Sequence, residues 1–428
     1  MKSILNFKDK INRTMVINGN RFAAKQAPIM SFQTSKNGTF NPSIETSTGN
    51  TLKWVVDGVE YITNTLSVEL TGDVVDVQVY ANNFQEGDQI SDVNFSGQNI
   101  IGELDFSYFA LRGNFYAHTN AGLTNVRYST DNIVSNLYLY STGLIGVLNL
   151  STVVFNGYFY VHNCPSLTNI TFSSSLSTPI LVRAYSNSFT GTLDFSTVKC
   201  TNYDISNNSN LTDLVMYEDN TLKSLTAINC GFTSLNFSNT RMASVNVQNN
   251  TSLSAMTFSN LDNSGAITIS GCSSLLTLDL SNYQLSYLAA NTVSSLSSIT
   301  FKNAPQTLSL CSITNTQISS LDLSNFTVTA FYCYFYNNPN LSSVSMPTIT
   351  ANMQLIRGYN CALSQASVDS IFSYLNTFFS STTPIKSLDV QLNGGTNASP
   401  TGGANNADIL NLISIYNAAG FTFTYTIN

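Results

Sequence analysis

The 428-residue chain has only two histidines, one tryptophan and nine prolines, and 10% of its side chains are charged, against about 25% in an average globular domain. Each shortage excludes something. Neither His118 nor His162 stands in an H-E-x-x-H or other metal-ligand setting, so no metal site is expected. No glycine-rich loop follows a strand and opens a helix, so no nucleotide or other cofactor is expected. The seven cysteines show no paired spacing and no C-x-x-C, which reads as reduced, structural thiols. No stretch approaches the ~18 apolar residues of a membrane helix, so no membrane insertion is expected. The opening Met1-Lys2-Ser3-Ile4-Leu5-Asn6-Phe7-Lys8-Asp9-Lys10 lacks the apolar core of a secretory signal, which points to synthesis in a cytoplasm and release by another agent.

Charge is unevenly spread. The net charge is −7, yet seven of the 17 basic residues fall within residues 1–36: Lys2, Lys8, Lys10, Arg13, Arg21, Lys25 and Lys36. A basic head on an acidic body is read as an attachment segment that docks on another protein, with a disordered tail as the rival reading. The body carries no basic stripe, so nucleic acid is not an expected partner.

What the chain does have is a repeat. Leu104, Val126, Leu148, Ile170, Leu193, Leu214, Leu235, Met256, Leu278, Ile299, Leu321 and Val344 each open an apolar-x-apolar triplet, and successive openers lie 21 to 23 residues apart. A period in this range means a solenoid with one backbone coil per repeat. Ser, Thr and Asn take the polar positions, as stacked strands require, because like charges repeated at every rung repel. An apolar residue three places before the triplet completes L-x-x-L-x-L, as in Leu275, Leu278 and Leu280. Three places earlier again stand Asn120, Cys164, Asn208, Asn250, Cys272 and Asn338. Interchange of Asn and Cys at one fixed place predicts a buried corner whose backbone groups need a side-chain partner. The middle residue of the triplet is Asp or Asn in every second coil, which makes the full unit about 43 residues and keeps carboxylates at least two rungs apart.

The pattern (Asn/Cys)-x-x-Leu-x-x-Val-x-Leu resembles leucine-rich repeats of the BspA-like kind. In place of their convex helix, alternation such as Val245-Asn246-Val247-Gln248 predicts a second strand per coil. The expected fold is therefore mainly β: a leucine-rich-repeat-like β-solenoid of about twelve 21–23-residue coils over residues 89–361. Residues 1–36 are read as the basic leader. Residues 37–88 are read as a small β-sandwich, with strands near 51–55, 66–70 and 75–80 and a turn at Asp57-Gly58. The Trp54-Val55-Val56-Asp57-Gly58 run followed by Val75-Asp76-Val77-Gln78-Val79-Tyr80 resembles a PKD-type domain, although of that family's Trp-Asp-Phe-Gly-Asp-Gly run only the Trp and the final Asp-Gly survive. Residues 362–428 are read as an α+β cap, with Ser364 capping a helix that carries Val368, Ile371, Phe372 and Leu375. A strand over 387–392, a helix over 407–419 and a last strand over 421–425 follow. The Leu363-Ser364-Gln365-Ala366-Ser367-Val368-Asp369 helix start and the turn at 394–400 resemble the caps of leucine-rich-repeat proteins in phages of Bacteroidetes.

Binding is legible as aromatic files. Tyr116, Tyr138 and Tyr160 recur 22 residues apart at outward positions, as do His118, Tyr140 and His162 two places on, with Arg183 and Tyr185 next in line; Tyr332, Tyr334 and Tyr336 make a second patch. Amphipathic rings suit sugars or a protein partner; the alternatives are a subunit interface in a homo-oligomer, a trimer among the options, or simple strand propensity. No carboxylate pair at the ~5–9.5 Å of glycosidases is visible, since Asp105, Asp194, Asp279 and Asp322 are mostly four coils apart. The family resemblance implies a non-enzymatic phage structural protein located in the virion, a head or tail appendage held to other virion proteins by its leader and adhering to host-surface glycans or a receptor. A bacterial surface adhesin and a polysaccharide depolymerase are the rival readings.

Overall fold

The computed structural model describes residues 15–17, 20–22, 27–47, 49–81, 89–330 and 332–428. The chain is mainly β, a solenoid of about twelve turns of about 22 residues with a small N-terminal sheet and C-terminal helices. It divides into two compact units, Met1–Arg183 and Ala184–Asn428.

In the first unit, Met30–Thr34, Val75–Ala81, Leu52–Val56 and Val59–Ile62 form an antiparallel sheet. Asn37–Phe40 pairs separately with Val68–Thr71. The expected sandwich is thus a small sheet with side pairings, and it is joined to the coils directly. Met30–Thr34 continues onto Ile100–Phe106, and Ser43–Thr46 pairs with Ile90–Asn94. The strand Met30–Thr34 begins inside the stretch read as leader. Its alternation, with Met30, Phe32 and Thr34 buried, is a half-buried strand pattern that the surrounding basic residues obscured. Trp54 is fully buried and its Nε1 donates to Thr63 O at 2.8 Å.

The coils follow the repeat in register. Leu104 pairs with Val126 and Leu148 with Ile170 in the first unit. In the second unit Leu193 pairs with Leu214, Leu235 with Met256, Leu278 with Ile299 and Leu321 with Val344. Eleven of the twelve are buried and Ile299 is half-buried. Every pairing is parallel, and the triplet strands join two by two, which is the 43-residue unit in three dimensions. The first strand of each pair holds the Asp or Asn, and its side chain closes an Asx turn by accepting from the backbone N–H two residues on. Asp105 accepts from Ser107 at 2.8 Å, Asn149 from Ser151 at 3.0 Å, Asp194 from Ser196 at 2.8 Å, Asn236 from Ser238 at 3.0 Å, Asp279 from Ser281 at 2.9 Å and Asp322 from Ser324 at 3.0 Å. Charge spacing alone therefore does not explain the double period. A strand-ending turn that only Asx side chains can satisfy explains it better.

The second strand of each coil builds a parallel sheet whose inward residues, such as Phe115, Leu137 and Phe159, are fully buried. After it the chain turns through a left-handed residue: Thr119, Ser141 and Asn163 in the first unit, and Ser186, Asn207, Asn229, Asn249, Thr292, Asn315, Asn337 and Asn360 in the second, with φ between 53° and 60°, and Gly271 at 79°. Asn tolerates this region better than other residues with a Cβ. The residue after each of these is the buried corner. Asn120, Asn208 and Asn250 each donate their amides to three carbonyls and Asn338 to two, and all four accept from one backbone N–H. Cys164 and Cys272 make the donor half of the same contact, with Sγ 3.4 Å from Leu139 O and 3.1 Å from Val247 O. Thr142, Asn187, Cys230, Thr316 and Cys361 occupy the same place and were not recognised from sequence. All seven cysteines are free thiols and buried. Burial pushes Cys230, Cys272 and Cys361 up to about 11, so they stay protonated and poorly nucleophilic at neutral pH.

The C-terminal segment closes the second unit. Helix α1, Gln365–Ser381, is capped by Ser364, which accepts from Ser367 N at 3.2 Å, and buries Val368, Ile371, Phe372, Leu375 and Phe379. Helix α2, Ala407–Ala418, is capped by Asn406. Leu388–Gln391 and Phe423–Thr426 extend the parallel sheet beyond Leu355–Arg357, so the sheet edge is continued by strands of the cap.

Candidate functional site

Two outward aromatic faces lie on the second-strand sheet. In the first unit the register sets Asn94, Tyr116, Tyr138, Tyr160 and Arg183 in one file. Tyr138 and Tyr160 stack at 4.8 Å and 6°, Tyr116 lies 5.0 Å from Tyr138 with its plane tilted by 52°, and the Arg183 guanidinium carbon is 5.0 Å above Tyr160. The neighbouring file stacks His118 on Tyr140 at 4.4 Å and Tyr140 on His162 at 4.7 Å. Rungs of a parallel sheet are ~4.8 Å apart, which lets outward rings on successive rungs lie face to face, as Tyr138 and Tyr160 do and Tyr116 does not. Tyr158, which sequence reasoning missed, borders Tyr160 at 5.7 Å.

The stacking sets what these rings present. Rings inside a ladder spend their faces on each other, so a sugar cannot stack on Tyr138 or Tyr140. What they present are edges and polar tips. His162, read as an outward contact, is only 8% exposed, and its Nδ1 accepts from Asn163 Nδ2 at 3.1 Å. Partial burial, then the neighbouring Tyr160, Tyr116, Tyr158 and Tyr140, raise the Tyr138 phenol. It is therefore protonated at physiological pH, able to donate and accept. Burial lowers His118, which favours the neutral ring at neutral pH. Tyr185 lies in the second unit, half-buried.

In the second unit Tyr332, Tyr334 and Tyr336 share one strand face. Tyr332 and Tyr334 are near-parallel at 5.8 Å and 14°, and Tyr336 stacks at 4.6 Å and 8° on Tyr359. Tyr359, 23 residues beyond Tyr336, was within reach of the repeat period and was overlooked. The register continues each file: Tyr332, Leu355, Asp389, Thr424, and beside it Tyr334, Arg357, Gln391, Thr426. Burial raises the Tyr334 and Tyr359 phenols.

Of the candidate attachment residues, Lys2, Lys8, Lys10, Arg13 and Lys25 lie outside the described residues. Arg21 falls on Asn20–Phe22, which pairs antiparallel with Met15–Ile17. Lys36 Nζ donates to Gly97 O at 2.6 Å, so it ties down the first coil. Among the described residues no group of three His, Cys, Asp or Glu is placed to hold a metal ion, and no helix is long and apolar enough to cross a membrane. No protein-family profile matches the chain, and no curated protein sequence matches it.

Proposed function

We propose that this chain is a non-enzymatic adhesion protein, a phage virion appendage that attaches through its basic N-terminal segment and presents its repeat surface to host-surface glycans or a receptor. The observation that carries the adhesive half is the first-unit ladder: Tyr116, Tyr138, Tyr160 and Arg183 in one file beside His118 and Tyr140. Rings locked by stacking have little side-chain entropy left to lose on binding. Their tips form a regular row of hydroxyl and imidazole groups at rung spacing, which suits a polymer with repeating hydroxyls. The virion setting is supported by the resemblance of the repeats and cap to BspA-like proteins of Bacteroidetes phages, and by the PKD-like run at Trp54–Gly58.

The test is adsorption of purified protein to host cells with Tyr138→Ala plus Tyr160→Ala. Both side chains point out of the core, so the melting transition should stay close to that of the wild type. Binding should fall about tenfold or more, as expected when two central contacts are removed. Undiminished adsorption by a folded double variant would remove the ladder from the account.

A further inference from the structure

We propose that the second unit holds a separate site for a neutral hexopyranose residue of a glycan, built by Tyr332 on one side and by Asp389 and Thr424 on the other, with Arg357 and Gln391 holding Asp389 from behind. It goes beyond the ladder reading, because it uses other residues and a different geometry.

The argument starts from the files. In a ladder, each ring is followed one rung on by another ring, as Tyr336 is by Tyr359. Tyr332 is followed instead by Leu355, and then by Asp389 and Thr424. Leu355 is shorter than a tyrosine, so the file dips between Tyr332 and Asp389. An open cleft of about 340 Å³ lies there, with Tyr332, Leu355, Leu388, Asp389, Thr422 and Thr424 among its lining residues. Two rungs separate Tyr332 from Asp389, roughly 9.6 Å at ~4.8 Å per rung, enough for a pyranose ring to sit where the next aromatic would have been. Tyr332 is 40% exposed, more than the stacked rings of the first unit.

The polar wall is preorganised. Asp389 Oδ2 accepts from Arg357 Nη1 at 2.8 Å and from Gln391 Nε2 at 3.0 Å, and its Oδ1 accepts from Thr424 Oγ1 at 2.8 Å. Such a network holds donors and acceptors in place, which favours recognition of sugar hydroxyls. The carboxylate and the guanidinium compensate each other's charge, so the wall selects a neutral sugar over a uronate or a sialic acid. An aromatic wall for the C–H face opposite a polar wall for the hydroxyls matches the two-sided character of a hexose.

Saturation-transfer NMR on the full chain tests this with methyl glycosides of glucose, galactose and mannose, and with glucuronate as the anionic control. At least one neutral glycoside should receive saturation. Measured in the Tyr138→Ala plus Tyr160→Ala background, which removes the ladder, its affinity should fall about tenfold on adding Tyr332→Ala, fall severalfold on adding Gln391→Ala, and stay unchanged on adding Thr257→Ala on the triplet strands. The added substitutions are of surface side chains, and circular dichroism checks that the variants fold. Transfer to none of the three neutral glycosides, transfer that survives Tyr332→Ala, or preference for glucuronate would overturn the proposal. Because the ladder is already removed in that background, failure here and failure of the adhesion reading are separate results.

Discussion

Replacing Asn250 by Leu should destabilise the second unit by about 3–5 kcal/mol, whereas Asn250→Cys should cost only about 1–2 kcal/mol. The Asn250 amide donates to Ala227 O at 2.8 Å and Val247 O at 2.7 Å and accepts from Cys230 N at 2.9 Å, all in a fully buried corner. Leucine has similar volume but leaves those backbone groups without their partner, and each orphaned buried group costs about 1–3 kcal/mol. Cysteine is expected to be milder because the corners on either side already use it: Cys230 Sγ reaches Ile205 O at 3.3 Å and Cys272 Sγ reaches Val247 O at 3.1 Å. Urea unfolding midpoints of the two variants measure the difference. Equal losses would mean the corner is a matter of volume and not of hydrogen bonding.

The second large effect is expected at Lys223, which is fully buried and whose Nζ donates to Asp219 Oδ1 and to Thr221 Oγ1. Lys199 meets the other Asp219 oxygen at 3.1 Å. Burial alone would raise the Asp219 carboxyl, but the hydrogen bonds from Lys223, Thr221 and Lys199 outweigh it and hold the group well below the usual carboxylate range. Lys223→Met keeps the buried stem and removes the charge, so Asp219 loses its closest partner; a loss of about 3 kcal/mol is expected at neutral pH. The pH dependence follows from the sign of the shift. A carboxyl whose folded pKa is depressed contributes its stability in full above the unfolded value of about 3.9 and loses it as pH falls towards the folded one. Wild-type midpoints measured at neutral pH and at successively lower pH should therefore fall more steeply below about pH 4 than those of Lys223→Met. Parallel curves would show that the pair contributes nothing to acid stability.

Much of this architecture was readable in the sequence because it depends on residues that meet one rung away. Leu104 finds Val126 and Tyr138 finds Tyr160 because the period is the pairing register. The Asn/Cys corner was readable because only a few side chains can serve a buried turn, and Ser364 because a capping hydroxyl before an amphipathic run has few other uses. Other features were hidden for physical reasons. The left-handed residue before each corner varies among Ser, Thr, Asn and Gly, so no single letter marks it. The consequence of stacking was missed because outward position does not say whether a ring offers its face or its edge. The strand Met30–Thr34 was masked by the lysines and arginines around it. Asp389 and Gln391 could not be tied to Tyr332 and Tyr334, because helix α1 intervenes and the cap strands return to the sheet out of period.

Everything rests on side chains one coil apart standing above one another on the outer edge. Pyrene labels test that most directly, since the buried native thiols should not react. Labels on Tyr138→Cys with Tyr160→Cys should give strong excimer emission. Labels on Tyr160→Cys with Thr171→Cys, half as far apart in sequence but on different sheets of the coil, should give monomer emission only. Excimer from the second pair and none from the first would contradict the stacked ladder.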